Sequence, residues 1–93
     1  MIKQEKHKEL LDKLHETYIS KNADYGDSFG QSIRKYGNIA GLTRISDKFN
    51  RIENLILNGN MKVTDEALED SLLDLANYCV MLVMELNNEP IDN

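Results

Sequence analysis

The stretch Ile39-Ala40-Gly41-Leu42-Thr43-Arg44-Ile45-Ser46-Asp47-Lys48-Phe49-Asn50-Arg51-Ile52-Glu53-Asn54-Leu55-Ile56 decides the fold. Its apolar residues Ile39, Leu42, Ile45, Phe49, Ile52 and Ile56 recur every three or four positions, the period of a helix that buries one side. Gly37 before it and Gly59 after it are natural helix stops, so a long helix is expected over about 39–58. Downstream, Asn60 to Val63 makes a short connection, and Thr64 is expected to cap a helix over about 65–87. Asp65 and Glu66 then stand at the positive end of its dipole. In that helix Leu68, Leu72, Leu75, Cys79, Leu82 and Leu86 form one stripe, while Leu73, Ala76, Val80 and Val83 add a second. Such a helix is expected to be surrounded by protein.

Upstream, Leu10, Leu11, Leu14 and Tyr18 mark a one-sided helix over about 2–21 whose first two turns are solvated. The turn-forming run Asn22 to Ser28 follows, with Asp27 or Ser28 placed to cap a short helix over 28–36 that buries Phe29, Ile33 and Tyr36. No strand alternation or repeat is present, and the sole proline, Pro90, lies in a tail from Glu89 to Asn93. The expected fold is all-α: one domain over 1–93, an antiparallel bundle of three long helices and one short one. Ninety-three residues support one modest core, and short helical chains add core by self-association, so a homo-oligomer is expected.

A net charge of -5 argues against affinity for duplex nucleic acid, which requires Lys and Arg to replace counterions. The charged N-terminus lacks a signal-peptide core, and the run from Leu72 to Leu86 is too short and too interrupted to span a bilayer. A cytoplasmic protein without membrane contact is expected. The single Cys79 is read as a buried structural thiol, and His7 and His15 as surface residues rather than zinc ligands.

The polar residues of the last two helices are out of place. Asp70, Asp74 and Asn77 fall at i, i+4 and i+7 on an apolar helix, where a carboxylate must be paired, metal-bound or wet. Arg44, Asp47, Lys48 and Arg51 form a complementary line on the preceding helix. The bland reading is a set of interhelical salt bridges such as Arg44 or Arg51 to Asp70 or Asp74. The functional reading is a phosphate or metal site, because three cations, three carboxylates and an amide exceed what one seam needs. Lys21, Asp24 and Tyr25, at the exit of the first helix, add an ammonium, a carboxylate and a ring that could stack on a base or cover the core. Asp47, Asp70 and Asp74 offer the oxygen ligands magnesium prefers, with Lys21, Arg44, Lys48 and Arg51 to neutralise phosphates.

Three blocks in order carry a family resemblance: Lys21 to Phe29, Arg44 to Arg51, and Asp65-Glu66 followed by Asp70 to Tyr78. Together they resemble the nucleotide-modification-associated domain family, first type, found in bacteriophages and related to the MazG-like all-α nucleotide pyrophosphohydrolases. The resemblance implies a MazG-like, oligomeric helical bundle that handles nucleotides in the host cytoplasm. It matches Asp47, Asp70 and Asp74 to the acidic positions, Asn77 to the amide after them, and Lys48 and Arg51 to phosphate contacts. MazG-like hydrolases carry Glu-x-x-Glu and Glu-x-x-Asp where this chain has Asp47-x-x-Asn50 and Asp70-x-x-x-Asp74.

Three functions are compatible with these residues. The first is magnesium-dependent hydrolysis of a nucleoside triphosphate to monophosphate and pyrophosphate, with Asp47, Asp70 and Asp74 holding the metal. The second is a non-catalytic phage protein that binds or sequesters a nucleotide or cyclic-nucleotide signal through Lys21, Asp24, Tyr25, Arg44, Lys48, Arg51 and Asn77. The third is an oligomeric interaction module whose polar seam fixes helix register.

Overall fold

A computed structural model of the chain describes residues 2–59 and 61–86, the side chains at 24, 25 and 61–64 excepted. Four helices follow one another: α1 (Lys3–Tyr25), α2 (Ser28–Tyr36), α3 (Asn38–Asn58) and α4 (Met61–Leu86). No strand occurs among the described residues, so the fold is all-helical as the periodicity predicts.

The breaks between helices fall at glycines. Gly26 and Gly37 take φ 65° and 83°, a left-handed conformation that costs a residue with a Cβ but not glycine. Each also donates its N–H to the last turn, Gly26 to Asn22 O at 2.8 Å and Gly37 to Ile33 O at 2.7 Å. Gly59 donates to Leu55 O at 3.1 Å and closes α3. Two boundaries differ from expectation. The segment from Asn22 to Tyr25 is the last turn of α1 and not a loop, because the chain stays helical until Gly26 permits the turn. Helix α4 starts at Met61, so Thr64 lies inside it and not at its cap. The tail from Glu89 lies outside the described residues.

Helices α3 and α4 form the principal pair, with α2 against both and α1 against α4. Their inner faces follow one rule. On α3 the least exposed positions include Gly41, Ile45, Lys48, Ile52 and Leu55, and on α4 they include Ser71, Leu75, Tyr78, Leu82 and Glu85. Both sets step by four, three, four and three, the 3.5-residue seam of helices packed side by side. Gly41 permits the close approach: a Cβ there would lie 3.1 Å from Leu82 Cδ1. Arg51 Nε donates to Ser71 Oγ at 3.1 Å and pins the other end of the hairpin.

The core is thin. Ile33 and Ile52 retain 7% and 6% exposure, Ser71 4%, and no described large side chain is completely enclosed. Several residues expected inside are outside. Leu42, Phe49 and Ile56 of α3 and Leu72, Val80 and Val83 of α4 are about half exposed or more, as is Tyr36. Cys79 is exposed and is not the buried thiol expected. Helix α4 is therefore left uncovered by this chain along one edge, at Leu72, Cys79, Val80, Val83 and Met84. The apolar width of a helix tells that it wants partners but not whether they belong to the same chain.

Candidate functional site

On the side where α1 and α2 cover the hairpin, a cleft of about 730 Å³ opens between all four helices. Each contributes by helical spacing. Helix α1 sends Tyr18, Lys21 and Asn22; α2 sends Ser28, Ser32 and Tyr36 at every fourth position, with Phe29 beside them. Helix α3 adds Thr43 and Arg44, and α4 adds Asp74, Asn77, Tyr78 and Met81. Among the described residues the lining thus combines four aromatic rings, hydroxyls and amides, two cations and a single carboxylate.

Asp74 is the electrostatic centre. Lys21 Nζ from α1 lies 3.0 Å from its Oδ1, and Lys48 Nζ from α3 lies 3.3 Å from its Oδ2. Burial by itself would raise the pKa of Asp74; the hydrogen bond and charge of Lys21, then the charge of Lys48, outweigh it and hold the carboxyl below its ordinary value. The two ammonium groups thereby tie α1 and α3 to α4 through one carboxylate. Lys48 also stands 5.9 Å from the centroid of the Tyr78 ring, which in turn meets Phe29 at 5.2 Å.

Two further contacts hold the walls. Asn77 Nδ2 donates to Leu14 O at 3.2 Å, docking α1 on α4. Arg34 Nη1 donates to both oxygens of Glu85 at 3.0 Å while its Nη2 donates to Asp27 Oδ2 at 2.7 Å. This fork joins α2, the Gly26–Asp27 turn and α4, and the Asp27 hydrogen bond leads in raising the Arg34 pKa. Asp27 occupies the N-cap position of α2 without a side-chain capping bond, because its carboxylate is used on Arg34.

The residues singled out from sequence divide into groups. Lys21, Arg44, Asp74 and Asn77 line the cleft, and Lys48 reaches its edge through Asp74. Arg51 does not line it and instead bonds Ser71. Asp47 and Asp70 are exposed and outside the lining. The side chains of Asp24 and Tyr25 lie outside the described residues. The ion pairs between α3 and α4 also differ from the expected ones: Lys48, not Arg44 or Arg51, meets Asp74.

The magnesium cage expected of Asp47, Asp70 and Asp74 is not formed. Among the described residues no group of three or more His, Cys, Asp or Glu is placed to hold a metal ion. Magnesium requires oxygen donors that converge, whereas Asp74 already answers two ammonium groups and no second described carboxylate shares the cleft. The rings and hydroxyls of the lining were missed in the sequence, although the four-residue spacing of Ser28, Ser32 and Tyr36 was a legible sign of one wall.

The family called Nucleotide modification associated domain 1 matches residues 21–86, and thus the cleft lining from Lys21 to Met81. The chain belongs to this family. No curated protein and no solved structure matches it. The matched region of this family member begins at the last turn of α1 and includes α2, α3 and α4, so most of α1 lies outside it. No helix among its described residues is long and apolar enough to cross a membrane.

Proposed function

We propose that the chain binds a small phosphorylated ligand, a nucleotide or cyclic nucleotide, in the four-helix cleft, and that it does so as a homo-oligomer without hydrolysing the ligand. The observation that carries this reading is the composition of the cleft: aromatic rings beside Lys21 and Arg44, with Asp74 the one carboxylate among its described lining. Phe29, Tyr36 and Tyr78 suit the flat face of a base, and the two cations suit its phosphate. Arg44 has no salt-bridge partner among the described residues, which leaves its fork for an oxyanion. What weighs against hydrolysis is the donor set, since no second carboxylate accompanies Asp74 among the described lining residues. The proposal extends to distant kinship with the MazG-like pyrophosphohydrolases, and to sequestration of a nucleotide signal, as a bacteriophage protein in the host cytoplasm would perform.

The test is a thermal-shift screen of nucleoside mono-, di- and triphosphates and cyclic nucleotides, each with magnesium and with a chelator, followed by chromatography of every hit. A ligand present at a hundred times its Kd stabilises the fold by about 2.7 kcal/mol, on the order of 10 °C for a domain of this size. The expected result is a chelator-insensitive shift with the ligand recovered intact, lost in Arg44→Ala and weakened in Lys21→Ala. Magnesium-dependent conversion to the monophosphate would instead establish a hydrolase. No shift with any nucleotide would leave an interaction module.

A further inference from the structure

The side of the α3–α4 hairpin away from the cleft is uncovered and largely apolar. Its residues obey a simple relation to the inner seam: each lies one position later. On α4, Leu72, Ala76, Cys79, Val83 and Leu86 follow Ser71, Leu75, Tyr78, Leu82 and Glu85. On α3, Leu42, Ser46, Phe49, Glu53 and Ile56 follow Gly41, Ile45, Lys48, Ile52 and Leu55, so this stripe is apolar at three positions and carries Ser46 and the charged Glu53 between them. One step along a helix turns a side chain by about 100°, and in antiparallel helices facing each other that turn carries both stripes to the same side. The cleft residues Asp74, Asn77 and Met81 lie across α4 from this stripe.

The stripe on α4 has no charged residue from Leu72 to Leu86, and four of its five members are exposed, with Leu72, Val83 and Leu86 at 47%, 53% and 50%. With Val80 and Met84 and the α3 residues, this side offers on the order of 700 Å² of apolar surface, close to the roughly 800 Å² each partner gives a stable interface. The whole chain exposes 7478 Å², against about 5,500 Å² for a monomeric protein of its mass. That surplus is more than the roughly 800 Å² one partner of a standard interface covers.

We propose that this uncovered side of the α3–α4 hairpin packs two-fold on the same side of a second copy of the chain, so that two hairpins make one four-helix bundle. The occupant is a second copy because the stripe keeps the 3.5-residue step by which α3 and α4 already pack, and a thin core is completed by the partner present whenever the chain is made. The inference rests on the homo-oligomer reading above and specifies its contact. It leaves the cleft open on the opposite side.

Cross-linking and light scattering on the full chain test it. A short bismaleimide is applied to the native Cys79, and to Leu72→Cys, Ala76→Cys and Val83→Cys in a Cys79→Ser background, with Asp12→Cys on α1 as control. Near a two-fold axis a residue meets its own copy, so at least one stripe position is expected to give a covalent dimer and Asp12→Cys none. Val83→Glu is expected to weaken dimerisation at least about a hundredfold by placing a charge in the seam. Should that variant fail to fold, the cross-links of the otherwise native chain still decide. An oligomer that survives Val83→Glu with no stripe position cross-linked overturns this contact while sparing self-association. A monomer at every concentration overturns both, and neither outcome touches the ligand test of the cleft.

Discussion

Asp74 is one carboxylate between two ammonium groups, and its environment makes two opposed demands. Its ionised form holds Lys21 and Lys48 in place, and it also competes with any incoming phosphate for the same cations. Asp74→Asn keeps the shape and removes the competitor, so ligand anions are expected to bind more tightly, on the order of threefold to tenfold by calorimetry. A hydrolase centred on Asp74 would lose turnover instead. The same variant has a pH signature. The carboxyl is held below its ordinary value of 3.8, so its stabilising share is complete above that value and is lost as pH falls through the lowered folded pKa. The melting-temperature gap between the native chain and Asp74→Asn is therefore expected to be widest near neutrality and to close in acid. The residue was partly legible: a carboxylate on an apolar helix had to be paired, metal-bound or wet, and Asp74 is paired. Which cations pair with it was not, because Lys21 is 53 positions away in sequence and arrives only when α1 docks.

Among the helices, α3 and α4 are joined at close range while α1 is held lightly. At the close end Gly41 leaves room for Leu82. Replacing Gly41 by Val drives two methyl groups into that contact, and despite the gain in helix propensity a loss of about 1–3 kcal/mol is expected in urea unfolding. Unfolding that is unchanged or harder would show that α3 and α4 do not rely on this approach. The sequence foresaw all four helices and the glycines between them, since period and stop signals are local. It placed the end of α1 too early because Asn22 and Asp24 favour turns, yet the hydrogen bond from Gly26 to Asn22 shows the helix continuing to the glycine.

At the scale of the whole molecule, the chain is more open than its length suggests. Its radius of gyration is 14.9 Å, against about 12 Å for a compact chain of this size. If a second copy supplies the missing core, folding and association are one equilibrium, and the melting temperature is expected to rise by several degrees from low-micromolar to near-millimolar protein. A melting temperature independent of concentration would show that the thin core suffices alone. The cleft lies on the far side of the hairpin, so ligand binding and self-association are separable by mutation: Arg44→Ala acts on the first and Val83→Glu on the second.

The order of helices in the sequence determined the fold class, and the blocks from Lys21 to Tyr78 determined the family, since both are written in local spacing and residue type. Only the tertiary structure decided which side of each helix is covered. Apolar stripes broad enough for two partners do not say that α3 and α4 use one edge on each other and leave the edge one residue later uncovered. It also decided that Asp47, Asp70 and Asp74, similar in the sequence, part company in space. Their separation follows from the rotation of each helix about its axis, a quantity set by packing between helices and invisible along any one of them.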